Sequence, residues 1–102
     1  MKVLRRTRES SVEAPAVALA RASGVPALKL SNRYDSGWPD RLFLFPGRAV
    51  FVEFKKPETP AARKLQEHRH ETLRGLGFTV YLVTDHAEFT RVFESEIQRA
   101  SI

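Results

Sequence analysis

Apolar spacing changes several times along this chain, and each change marks an element. From Ser10 or Ser11 to about Ala22, the residues Glu13, Val17, Ala20 and Gly24 share one helical stripe, with serines available to cap the start and Gly24 to stop the end. Pro15 would crowd the carbonyl of a Ser11 cap, so regular helix is expected to begin nearer Glu13. Val25 to Leu30 reads as a strand with Leu28 and Leu30 facing one way and Lys29 the other. Residues 31–38, rich in Ser, Asn, Asp and Gly, form a loop that delivers the chain to Pro39.

The strongest pattern follows. Arg41-Leu42-Phe43-Leu44-Phe45 and Ala49-Val50-Phe51-Val52-Glu53-Phe54-Lys55 flank Pro46-Gly47, which predicts an antiparallel hairpin with a two-residue turn. Such a turn fixes the register: Phe45 faces Arg48, Leu44 faces Ala49, and, continuing down the ladder, Asp40 faces Glu53. Opposed carboxylates destabilise a sheet unless something neutralises them, and a divalent cation is the obvious candidate. Lys55 shares the face of Glu53, whereas Val52 and Phe54 point to the other.

Thr59-Pro60 is a helix start, a cap followed by proline at the first helical position, and Gly77 is the expected stop. This helix runs to Leu76 with Ala62, Leu65, Arg69, Thr72, Leu73 and Leu76 on its apolar stripe and His70, Arg63, Lys64 and Arg74 elsewhere. Phe78 to Thr84 alternates as a strand. Asp85 and Glu88 form a capping box for a last helix whose apolar positions are Phe89, Val92, Phe93 and Ile97. The order helix, three strands, helix, strand, helix is α/β. It predicts a mixed four-stranded sheet flanked by helices, with a right-handed parallel crossover into the last strand. Residues 1–9 are expected to form a basic, flexible N-terminus and residues 10–102 one domain.

Seventeen Lys and Arg against 12 Asp and Glu give a formal charge of +5, which favours a polyanionic partner, nucleic acid first. The 42% hydrophobic content with seven Phe suffices for a core, and the lack of cysteine excludes a disulfide framework and a thiol nucleophile. His68 and His70 point in different directions on a helix, and neither a zinc spacing nor a phosphate-binding glycine loop occurs, so no organic cofactor is expected. No apolar run is long enough to span a membrane, and a cytoplasmic protein is expected.

Pro39-Asp40 followed after 12 residues by Glu53-Phe54-Lys55 resembles the PD-(D/E)xK nuclease signature. The surrounding residues resemble its VRR-NUC branch. Glu13 eleven residues before Gly24, Lys29, Gly37-Trp38-Pro39-Asp40-Arg41, Gln66 and Leu76-Gly77-Phe78 extend that resemblance from about Arg8 to Asp85. It implies an αβββαβα core and a Mg²⁺- or Mn²⁺-dependent endonuclease. The cation would be held by Asp40, Glu53, the Phe54 carbonyl and Glu13, with Lys55 at the attacking water and Gln66 orienting the lysine or a phosphate. Glu13 has a second reading by spacing alone, as the closing residue of a capping box with Ser10.

Lys29, Arg33, Trp38, Arg41, Lys56, Arg63 and Lys64 are the expected DNA contacts, Trp38 stacking on an unpaired base. The resemblance further implies branched DNA such as a four-way junction as substrate, cut by a homodimer, in a bacterial or phage-infected cell. Two other classes fit the same fold, a non-catalytic nucleic-acid-binding module and a scaffold subunit.

Overall fold

A computed structural model describes residues 11–30, 36–54 and 58–100. Among these residues the elements are α1 (Glu13–Ala22), β1 (Ala27–Lys29), β2 (Arg41–Phe45), β3 (Arg48–Glu53), α2 (Pro60–Gly75), β4 (Thr79–Leu82) and α3 (His86–Ala100). The expected order is reproduced. The strands form one mixed sheet in the order β1-β2-β3-β4, antiparallel until β4 joins β3 in parallel.

The turn sets the register as the sequence requires. Phe45 pairs with Arg48, Leu44 with Ala49 and Arg41 with Val52, which leaves Asp40 next in line opposite Glu53. Gly47 takes φ 71°, so Pro46-Gly47 meets the residue requirements of a type II turn, in which the second central residue needs positive φ.

Strand alternation divides the side chains into two layers. Phe43, Phe45, Val50, Val52 and Phe54 face α1 and α3 and join Ala16, Val17, Ala20, Phe89 and Phe93 in the buried core. The phenylalanine rings meet at 5.4 to 6.4 Å between centroids, all tilted or edge-on, which suits the aromatic quadrupole. The opposite face carries Phe51, edge-on to Phe78 at 5.7 Å, with Glu53 further along the strand. Helix α2 covers that side over β4.

The helix ends follow their caps. The Thr59 hydroxyl accepts from the Ala62 amide at 3.1 Å, and the Asp85 carboxylate accepts from the Glu88 amide at 2.7 Å. Glu88 reaches back to the Thr84 amide at 2.9 Å, one residue earlier than a standard capping box. Helix α1 begins at Glu13, where Pro15 falls among the first-turn positions whose amides have no helical partner. Its N-cap is Val12, with no side-chain cap, and Ser10, the other partner of the expected capping box, lies outside the described residues.

Two expectations are corrected. The buried residues of α2 are Gln66, His70 and Leu73, whereas Ala62 and Thr72 are exposed and Leu76 is 69% exposed. The reason is that α2 rests on the sheet face bearing Glu53, so polar groups turn inward, while Leu65 and Arg69 lie against the loop at Gly37. In β1 the buried face belongs to Ala27, which shares it with Lys29, and Leu28 is 46% exposed at the sheet edge.

Candidate active site

Asp40 enters β2 after the buried Pro39, and its position depends on the loop before it. Gly37 has φ 91°, and a Cβ there would stand 2.7 Å from Leu65 Cγ, so the chain passes α2 at a distance only glycine permits. Arg69 donates to the Ser36 carbonyl at 3.2 Å and lies 4.6 Å from the Trp38 ring centroid. The loop is thereby fastened to the helix. Asp40 Oδ2 accepts from the Phe54 amide at 2.8 Å, a direct tie between the start of β2 and the end of β3.

Glu53 is 6% exposed, and its backbone carbonyl accepts from the Val83 amide at 2.8 Å, which extends the β3–β4 pairing. Its Oε1 lies 3.8 Å from His70 Nε2. His70 is 6% exposed, and its Nε2 is buried with no hydrogen-bond partner. Burial lowers the His70 pKa, the Arg74 charge lowers it further and the Asp40 charge partly offsets both, so the ring is held neutral. Gln66, one turn earlier and 7% exposed, belongs to the same inward face. Beside them opens a cleft of about 460 Å³ whose lining includes Arg63, Gln66, His70, Arg74 and Leu82.

Hard oxygen donors suit Mg²⁺ or Mn²⁺. Among the described residues no three Asp, Glu or His side chains already form a metal-binding cluster. Asp40, next in line beyond the last β2–β3 pair, Glu53 opposite it and a buried imidazole nitrogen of His70 with no hydrogen-bond partner nevertheless offer donors that fit a cation, since the orphaned nitrogen is short of one bonding partner.

The sequence matches no family model and none of the curated proteins. A solved structure described as a "VRR_NUC domain" is similar over 81% of this chain and 90% of its own, with 33% identity and a TM-score of 0.69. The chain belongs to the VRR-NUC family. It is thus a small α/β domain of a nuclease type, with the mixed four-stranded sheet that the family fold requires.

Within this VRR-NUC domain the sequence-derived residues separate into groups. Asp40, Glu53 and Gln66 occupy the region under and beside α2 together with His70. Lys55, Lys56 and Arg33 lie outside the described residues.

Glu13, expected as a metal ligand, is 1% exposed and its Oε2 is 2.7 Å from Arg41 Nε and 3.3 Å from Lys29 Nζ. Arg41 points into the α1 layer, whereas Asp40, its neighbour, alternates to the other. Glu13 Oε2 is therefore shared between two cations, Arg41 and Lys29, in the α1 layer. Arg41 is corrected in turn: at 5% exposure, with Nη1 3.4 Å from the Ala27 carbonyl, it has no surface to offer DNA. Lys29 is only partly diverted, since 43% of its side chain stays accessible.

Arg63 and Lys64 are exposed on α2 as expected, and Trp38 is half-buried beneath Arg69. The residue that sequence reasoning missed is His70. Its signal was its place four residues after Gln66, which puts the two on one helical face.

Proposed function

We propose that this VRR-NUC domain is a divalent-metal-dependent endonuclease that hydrolyses DNA phosphodiester bonds. The observation that carries the reading is the hairpin register, which leaves Asp40 next in line opposite Glu53, whose carboxylate lies 3.8 Å from His70 in a cleft that Arg63 and Arg74 also line. Asp40, Glu53 and the Phe54 carbonyl would hold the cation, and Glu13 is left out because it already serves Arg41 and Lys29. A Mg²⁺ or Mn²⁺ ion bound there supplies Lewis-acid polarisation of the phosphate and charge neutralisation.

The chain's own residues do the rest. Lys55, two residues after Glu53 in the sequence, takes the role of positioning the attacking water and accepting its proton. The water oxygen bonds to phosphorus as Lys55, in its uncharged amine form, takes the water's proton; one ester P–O bond breaks, and the departing sugar oxygen takes a proton from solvent water. Gln66, buried on α2, orients the phosphate or Lys55. Arg63 and Lys64 on α2, with Lys29, Arg33, Lys56 and Trp38, meet the sugar-phosphate backbone, which fixes position without reading bases.

Branched DNA as the substrate and a homodimer as the working unit extend the proposal. They rest on the resemblance, since two sites related by a two-fold suit nicks in symmetric strands. The test compares purified wild type, Asp40→Ala and Lys55→Ala on labelled four-way, flap and linear DNA with Mg²⁺ or Mn²⁺. Cleavage by wild type alone supports the reading. Salt-sensitive DNA binding without cleavage under either ion would replace it with a binding module, and equal cutting of linear and four-way DNA would remove the branched substrate.

A further inference from the structure

His70 stands on the inward face of α2 and is almost wholly covered. His70 Nε2 is buried and bonded to nothing, while Glu53 Oε1 stands 3.8 Å away, beyond hydrogen-bonding distance. A core histidine that merely fills space would bond its nitrogens, because an orphaned buried polar atom costs about 1–3 kcal/mol. Two donors each about 2.1 Å from one shared ion stand at most about 4.2 Å apart. The observed separation falls inside that span. Gln66 one turn before it, Arg74 one turn after it and Leu82 of β4 line the same cleft as His70.

We propose that His70 is a nitrogen ligand of the cation held by Asp40 and Glu53, giving the site a preference for Mn²⁺ and Co²⁺ over Mg²⁺. The inference rests on the nuclease reading of this same site and adds a ligand to it. An imidazole nitrogen favours first-row transition ions, whereas Mg²⁺ prefers oxygen and keeps its water. His70, Glu53 and Asp40 are not gathered into a closed cluster before the ion arrives, so the three donors would close on it as it binds, with water filling its remaining positions.

Pulsed electron paramagnetic resonance of tag-free protein loaded with Mn²⁺ reads the bond directly, through modulation from a coordinated ¹⁴N nucleus. The His68→Gln/His86→Gln double variant removes two exposed imidazoles and leaves His70 untouched, so the signal should persist there and vanish in His70→Gln. Calorimetry should show His70→Gln losing about tenfold or more in Co²⁺ affinity while Mg²⁺ affinity changes far less. Should His70→Gln fail to fold, the double variant decides alone. Bound Mn²⁺ and DNA cleavage without ¹⁴N modulation, or modulation lost in the double variant, would overturn the histidine ligand and leave the nuclease reading standing. Failure to bind any Mn²⁺, with no cleavage, would overturn both.

Discussion

Replacing Arg41 with leucine is the sharpest test of how the two layers divide their charges. The guanidinium is 5% exposed and its partner Glu13 1% exposed, at 2.7 Å, so deleting the cation leaves a carboxylate in the core layer. Breaking a buried pair from one side costs about 3–5 kcal/mol. Lys29 remains 3.3 Å from the same oxygen, but its side chain is 43% accessible and its compensation is screened, which trims the cost to about 2–3 kcal/mol. For a chain of 102 residues that is a fall in Tm of about 10–20 °C.

Calorimetric melts would measure it, with Glu13→Leu and the Glu13→Leu/Arg41→Leu double variant closing the cycle. The double variant should recover at least about 1 kcal/mol relative to the sum of the singles, because an apolar pair needs no desolvation. A loss below about 1 kcal/mol for Arg41→Leu, or strict additivity, would refute the buried pair. Glu13→Gln adds the functional arm: it should retain wild-type Mn²⁺ affinity, where even an outer-shell partner of a metal site would lose about 10–100-fold.

Gly37→Ala should cost more than about 1 kcal/mol, from the positive φ and the 2.7 Å approach to Leu65, and should reduce cleavage by displacing Asp40. Gly47→Ala, with open space around it, should show the conformational cost alone in the same urea melts. Phe89→Ala, at a ring that packs on Phe43, Phe54 and Phe93, should cost about 3–5 kcal/mol and leave little folded protein by circular dichroism.

Glu96 supplies a pH test. Burial pushes its pKa up, but hydrogen bonds from Arg48 and the Tyr81 hydroxyl, with the charges of Arg48 and Arg99, bring it below the ordinary 4.5. A depressed folded pKa means the stabilisation is complete above 4.5 and is lost as pH falls through the folded value, so Glu96→Gln should flatten that acid limb of a stability–pH curve. An unchanged limb would show that other carboxylates govern it.

Much of the fold was written locally. The turn Pro46-Gly47, the Thr59 and Asp85 caps, the two-residue alternation of the hairpin and the helical spacing of Phe89 and Phe93 are short-range signals, and each held. The opposition of Asp40 and Glu53 follows from them by counting, since a turn of known length fixes every pair beyond it. Glu13, Arg41 and the inward face of α2 could not be counted. Whether a carboxylate on α1 meets a metal or an arginine depends on which layer receives it, and that is decided when the helices choose their faces of the sheet.

Tertiary packing likewise turned His70 inward, because the surface that α2 covers carries the charge of Glu53 and asks for polar partners where the helix's own apolar stripe would have offered leucine. The chain by itself settled which residues stand opposite one another. Only the folded layers settled which of them share a side, because that choice rests on burial summed over the whole domain.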